Sequence, residues 1–431
     1  MTEKKESFIG RISEGLSDMC YIWAKEMKTT VQDEGVLIFF ILVPLLYPLL
    51  YSWAYNNEVA REVPVAVVDL SHSQQSRQFI RQYDASPNVK VAYFCNSLEE
   101  AKSLVGKQVV RGVVYIPKEF SMKLHRMEQA HVGIYCDMSF ILAYKAVYQT
   151  ATDVSAAMGK DIQIALSGNH TDREDEISTQ PLAFDEVAIF NPTGGYGNFV
   201  LPPVLILIIQ QTLLLGIGLS AGTARENNRY QDLVPVSRHY NGIFRIVLGK
   251  SLCYFMVYAV IVAWLTLIVP RLFHFTSLLE WHSWLALMFP YLLACIFFGM
   301  MISCLVRYRE NILLLVVFMS VPLLFLSGVS WPQTNMPGAW RSVACLFPST
   351  FGVRGYVRLS TMGASLSDVE LEYQALWLQT LVYFLMTCLV YRFQIIQARR
   401  HAVEEIQKMK DRTTMAKAKR TIVTAQTAAE Q

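Results

Sequence analysis

Apolar residues along the chain fall into two regimes. Six runs, residues 36–55, 199–219, 251–270, 283–306, 312–329 and 375–391, are apolar almost throughout. At about 1.5 Å per helical residue, about 20 residues cross a hydrocarbon core of about 30 Å, so each run predicts a membrane-spanning helix. The fifth and sixth are slightly short, but neither contains a charge. Between the first and second runs the pattern changes. Residues 56–190 carry short β-branched stretches, "VPVAVVDL", "NVKVAYF", "RGVVYIP" and "HVGIYC". Helical patterns separate them at "SQQSRQFIRQYD", "SLEEAKSLVGK" and "KEFSMKLHRMEQ", which predicts an α/β layer. A longer helix is expected over residues 140–166, a polar loop at "SGNHTDREDEISTQP" and a last strand at "DEVAIF".

The first 35 residues place Ile12, Leu16, Met19, Trp23 and Met27 at helical spacing with charges between them. This fits an amphipathic helix lying in the membrane interface or packed on the spans. The chain after residue 393 is rich in Lys, Arg, Glu and Ala and reads as an exposed basic helix. The resulting plan is an α-helical polytopic membrane protein. An interfacial segment (1–35) and a first span (36–55) precede an inserted α/β domain (56–190). Five further spans (191–393) and a tail (394–431) follow.

Composition supports the membrane class: of 431 residues, 53% are hydrophobic and 17% charged, with a mean hydropathy of +0.30. A formal charge of +3 gives no reason to expect a nucleic acid partner. The placement of charge says more than the total. Counting Lys and Arg loop by loop puts twenty-one on the side that holds both termini and four in the short loops opposite. The positive-inside rule then places both termini in the cytoplasm and residues 56–190 outside. The N-terminus lacks an apolar core followed by a cleavage site, so no removable signal peptide is expected. The eight cysteines form no metal-binding spacing, and Cys95 and Cys136 would meet only if their strands were neighbours.

The sequence offers no enzymatic constellation and no metal or cofactor motif. Gly249, Lys250 and Ser251 imitate the end of a phosphate-binding loop, but Phe244 stands where its first glycine belongs. Lys250 is expected instead at the edge of the third span, with its ammonium at the interface. The runs themselves contain no ionisable residue, which argues against a proton relay. Gln210 and Gln211 are the most polar pair at membrane depth; they serve either as hydrogen-bonding glue between helices or as contacts for a transported amphiphile. Residues 223–240, "TARENNRYQDLVPVSRHY", mix acids with bases in a short helical stretch. An anchor would need only the bases, so this segment reads as a docking surface for another protein. Residues 330–365 are half apolar yet punctuated by Pro332, Pro337, Pro348 and Gly352, with Trp331 at the start. Short helices that enter the membrane and return would fit, acting either as an interfacial lid or as an outer gate.

With "KEMKTTVQDEG", "FNP", "NFVLPP", "ARENNRYQDLVPVSR", "LSGVSWPQTNMPGAW" and "LFPSTFGVRGYVRLSTMGA" in this order, the chain resembles the permease subunits of type-2 ABC exporters. The large insert resembles their drug-exporter-like branch. The resemblance implies a coupling helix carrying Arg225, Glu226, Arg229 and Asp232 that docks on a separate ABC ATPase. Many relatives have Gly-Thr and a glutamate soon after Arg-Glu, where this chain reads "NNRYQDL". The resemblance further implies that ATP and Mg are bound by the partner ATPase and none by this chain. A second, identical or paralogous permease would complete the pathway in a bacterial inner membrane. Contacts with membrane lipid and a periplasmic adaptor would complete the assembly, and Trp331 to Gly352 would form a re-entrant outer gate. A receptor or envelope assembly factor that keeps this membrane fold without an ATPase is the competing reading.

Overall fold

The computed structural model describes residues 8–55, 59–168, 171–182, 187, 189–192, 194–226, 242–305, 308–396 and 407. Contacts divide the chain into two units, residues 1–56 with 197–431, and residues 57–196.

Among the described residues, the first unit contains six helices long and apolar enough to cross a membrane: Glu34–Ala54, Tyr196–Thr223, Ile243–Leu272, Trp281–Cys304, Arg309–Leu326 and Leu366–Ile396. The second and fourth are the interior of this unit, with 78% and 67% of their most apolar windows buried against 17% for the fifth. Close approach between spans uses the absence of a side chain. A Cβ on Gly216 of the second span would stand 1.9 Å from the ring of Phe40 on the first, a ring that is itself wholly buried. Two spans contain a widened, π-helical turn, Ile38–Leu42 and Trp264–Ile268, and each turn is followed within two residues by a proline, Pro44 or Pro270. Proline cannot donate to the carbonyl four residues back, and the extra residue in the turn absorbs that break.

The leading helix, Phe8–Gln32, packs along the third span. Its most buried face runs beside the expected apolar stripe: Asp18, Ile22, Glu26 and Thr30 are buried, Met19, Trp23 and Met27 are half-buried, and Leu16 is exposed. Cations on the third span explain this choice. Arg245 Nη1 lies 2.7 Å from Asp18 Oδ2, and Lys250 Nζ lies 2.8 Å from Glu26 Oε2. Tyr254 donates its hydroxyl to the other Glu26 oxygen at 2.5 Å. Lys250 therefore does not reach an interface as expected; its side chain is 6% exposed and held by a carboxylate. The apolar runs themselves are free of charge, but the helices extend beyond them and carry Arg245, Lys250, Arg309 and Glu372 outside the runs. Asp33 breaks the chain between the leading helix and the first span, accepting from the amides of Gly35 and Val36 and pairing at 3.0 Å with Arg309 of the fifth.

The second unit is built on a four-stranded sheet, β1 (Val63–Asp69), β2 (Val89–Phe94), β3 (Gly112–Ile116) and β4 (Gly133–Cys136), in the order β2-β1-β3-β4. The first three strands are parallel and β4 is antiparallel to β3. Helices Gln74–Asp84, Phe120–His125 and Ile141–Ser167 pack on one face of the sheet, and Leu98–Gly106 packs on the other. The strands and helices of the α/β layer thus form as the alternation of patterns predicts. Two local readings differ from this, and one conditional contact is not made. Residues 172–179 form a helix instead of a loop, because Thr171 accepts from the amide of Glu174 and caps it. Of the expected strand "DEVAIF", residues 185, 186 and 188 lie outside the described residues, and Val187, Ile189 and Phe190 carry no strand pairing. Cys95 and Cys136 belong to opposite ends of the sheet and are both free thiols. Burial raises the Cys136 thiol to about 11.

The buried pair on the leading helix gives a direct test. Lys250→Met leaves the Glu26 carboxylate buried without its cation, and should lower stability by about 3–5 kcal/mol. Adding Glu26→Gln should restore most of the loss. Thermal unfolding of the purified full chain in detergent measures both, and equal midpoints for the single variant and the parent would contradict the assignment.

Candidate functional site

Between the fifth and sixth spans the chain makes a single turn of 3-10 helix, Gln333–Asn335, and two short helices, Gly338–Ala344 and Pro348–Thr361. The prolines expected to punctuate this segment each stand at a helix start. Pro332 precedes the 3-10 turn, Pro337 precedes the first short helix and Pro348 opens the second, where a missing amide hydrogen costs nothing. Trp331 and Trp340 are exposed.

The corner joining the two short helices is held by side chains from three directions. Thr350 Oγ1 donates to the carbonyl of Ala344 at 2.7 Å, and Gln379 Nε2 of the sixth span donates to that of Cys345 at 2.8 Å. Tyr383, one helical turn beyond Gln379, donates its hydroxyl to the carbonyl of Leu346. From the second span, Gln210 Oε1 accepts from the amide of Ser349 at 2.7 Å. Ser349 is the second residue of its helix, so its amide has no partner within the helix, and the glutamine side chain takes the place of a cap. Gln210, Ser349 and Thr350 are all buried.

Glycine allows the second short helix to reach the core. A Cβ on Gly352 would stand 2.4 Å from the ring of Tyr291 on the fourth span. That ring is fully buried and its hydroxyl donates to the carbonyl of Ile206 at 2.7 Å, so it has little freedom to move. Farther along, Glu372 of the sixth span, 1% exposed, sits between two arginines of the short helix. Arg358 Nη1 lies 3.5 Å from Oε2, and Arg354 Nη2 lies 3.0 Å from Oε1, off the hydrogen-bonding direction. Arg354 also donates at 2.9 Å to Gln333, whose own amide donates to the carbonyl of Leu326 at the end of the fifth span. One connected set of polar contacts therefore joins the ends of the fifth and sixth spans to the folded-back segment.

The residues singled out in the sequence separate into three groups. Gln210, Pro348 and Gly352 meet at the corner and its helix, while Trp331, Pro332 and Pro337 stand at its approach. Gln211 does not join them: its amide nitrogen and oxygen have no hydrogen-bond partner among the described residues. Arg225 and Glu226 are the last two residues of helix Tyr196–Glu226, with side chains outside the described set, and Arg229 and Asp232 lie outside the described residues altogether. Sequence reasoning passed over Gln379, Tyr383, Arg354 and Glu372. The spacing of Gln379 and Tyr383, four apart on one face of an apolar run, was the available signal. Among the described residues no group of three or more His, Cys, Asp and Glu could hold a metal ion.

A family model described as ABC-2 family transporter protein matches residues 35–389, from the start of the first span into the sixth. The chain is 22% identical over 324 residues to the probable multidrug ABC transporter permease YbhR of Escherichia coli (strain K12), a match covering 73% of this chain and 81% of that protein. YbhR of Escherichia coli O157:H7 matches to the same extent.

The corner generates a prediction with an internal contrast. Gln210→Leu leaves the Ser349 amide buried without an acceptor and should cost about 1–3 kcal/mol. Gln211→Leu removes an amide that has no hydrogen-bond partner among the described residues and should leave stability unchanged or raised. Gly352→Ala should cost about 1–3 kcal/mol by overpacking against Tyr291. Thermal unfolding of the three purified variants checks the order, and equal effects of the two glutamine changes would contradict it.

Proposed function

The chain belongs to the ABC-2 family of transporter proteins, and on that premise we propose that it is the transmembrane subunit of an ATP-driven exporter. The observation that carries this reading is the family match, which runs from the first apolar helix into the sixth and includes the folded-back segment between the last two. ATP and Mg belong to a separate ABC ATPase, which grips the segment that follows the second span. Arg225, Glu226, Arg229 and Asp232 are its contacts on this chain. Closure of the ATPase dimer pulls on the second span at that end. Gln210, on the same helix, transmits the movement to the corner at Ser349.

Both termini are cytoplasmic and residues 57–196 lie outside, an orientation supported by the excess of Lys and Arg at one end of the spans. The membrane is a bacterial inner membrane. Export runs from the cytoplasm or inner leaflet outward, past an outer gate made of the two short helices, with Trp331 and Trp340 at the headgroup level. The fifth span, whose side chains Leu314, Val317, Phe318, Val321 and Phe325 are exposed, faces lipid or a second permease subunit, identical or paralogous. The cargo is amphiphilic or hydrophobic, in keeping with the apolar walls and with the multidrug description of the YbhR relatives. Gln211 supplies the polar contact to it, since an amide at this depth gains most from a ligand that completes its hydrogen bonds. A periplasmic adaptor docks on the external unit.

Two variants test separate parts of this reading in cells that express the chain with its ATPase and extrude an amphiphilic dye. Glu226→Arg should reduce extrusion by about tenfold or more through lost coupling while leaving the amount of chain in the membrane unchanged. Gln211→Leu should reduce extrusion with stability intact. Wild-type extrusion by the first variant would contradict the coupling role, and by the second the cargo contact.

A further inference from the structure

The second unit holds a cavity of about 700 Å³ at the carboxyl ends of β1 and β2. Its position follows from the topology. β1 and β2 are neighbouring parallel strands, yet the chain leaves β1 for a helix on one face of the sheet and leaves β2 for a helix on the other. The two connections diverge, and a crevice opens between them; in open α/β sheets this is where small ligands bind. A size of this order matches a small-molecule site.

The lining has two chemistries. Val67, Leu70, Ile80 and Phe94 make an apolar wall. Phe94 is placed there by a bulge: Val65 pairs with Val91 but Ala66 pairs with Tyr93, so Ala92 is the extra residue. The shift sets Phe94 opposite Val67, on the face covered by helix Gln74–Asp84, although the ring remains 70% exposed. Arg77 and Arg81 of that helix supply the second chemistry, four residues apart and so on one face. Among the described residues neither guanidinium has a carboxylate within ion-pairing distance. The one acid in the lining, Asp69, is already engaged. Its Oδ1 accepts from the amides of Ser71 and His72 at 3.0 and 3.1 Å, and its Oδ2 accepts from Ser76 Oγ at 2.7 Å. The cavity therefore has an apolar side, an excess of positive charge and a planar donor pair suited to an oxyanion.

We propose that this cavity binds an amphiphilic anion, with its carboxylate, sulfonate or phosphate on Arg77 and Arg81 and its apolar body against Phe94 and Ile80. The site belongs to the second unit alone and does not depend on the export reading. The ligand is free in solution or is an anionic lipid.

The test uses the full chain in nanodiscs of phosphatidylcholine, without any ATPase, and cholate as the probe. Cholate should bind saturably and slow amide hydrogen exchange over residues 69–81 and 93–97. Its methyl ester should bind at least about tenfold more weakly, as should cholate to Arg77→Gln/Arg81→Gln. Arg77→Lys/Arg81→Lys should retain part of the affinity, and Lys107→Gln/Lys118→Gln, with the same change in net charge elsewhere on the unit, should bind like the parent. A second arm replaces cholate with phosphatidylglycerol in the disc; the same protection there identifies a lipid source, and its absence beside cholate binding identifies a soluble one. Equal binding of cholate and its ester, unchanged affinity in the glutamine double variant, or protection outside these residues would overturn the proposal.

Discussion

The arrangement of the membrane unit depends on one constraint: a turn of backbone set among apolar helices must find every hydrogen-bond partner within the protein. The corner between Ala344 and Ser349 is where this constraint is sharpest. Its carbonyls and its amide are met by Thr350, Gln379, Tyr383 and Gln210, which come from the second short helix, the sixth span and the second span. The polar side chains of two otherwise apolar spans thus have a common purpose. Because Gln210 is buried in the interior of the unit, the position of the corner is tied to the helix least free to move.

Charge follows the same logic at the ends of the spans. Asp18 with Arg245, Glu26 with Lys250 and Asp33 with Arg309 join segments far apart in sequence, and Glu372 with Arg354 joins the sixth span to the short helix just before it. In three of the pairs the carboxylate is buried and in the fourth, at Asp33, it is half-buried; an unpaired charge in such places would be costly. Such contacts contribute no more net stability than apolar packing of equal volume, but a slip of one turn would leave a carboxylate and a cation without each other. The leading helix is thereby fixed to the third span in one register. The fifth span, by contrast, is held chiefly at its ends and leaves its middle apolar surface outward.

Much of this was legible in the sequence, and the gaps have physical causes. The six spans are legible as continuous apolar runs of membrane length and the strands of the α/β layer as short β-branched runs, because each rests on local side-chain type. What periodicity hides is pairing between distant segments. Lys250 read as an interfacial lysine because nothing near it in sequence is acidic, and its partner is on the leading helix. The apolar stripe through Leu16 was visible, but the buried stripe through Asp18 and Glu26 becomes favourable only when Arg245 and Lys250 arrive from the third span. Thr171 and Glu174 carried a readable helix-start signature that polarity obscured. Gln210 and Gln211 are neighbours with the same side chain, and only the fold shows that one is a cap and the other has no hydrogen-bond partner among the described residues.

The most direct measurement is purification of the tagged chain from its own membrane after cross-linking, in a mild detergent, with mass spectrometry of all that accompanies it. A transport subunit driven from outside itself predicts a stoichiometric ABC ATPase, cross-linked through the segment after Glu226. Recovery of the chain without an ATPase, after cross-linking has excluded loss in detergent, would contradict that claim and favour a receptor or assembly factor built on the same membrane fold.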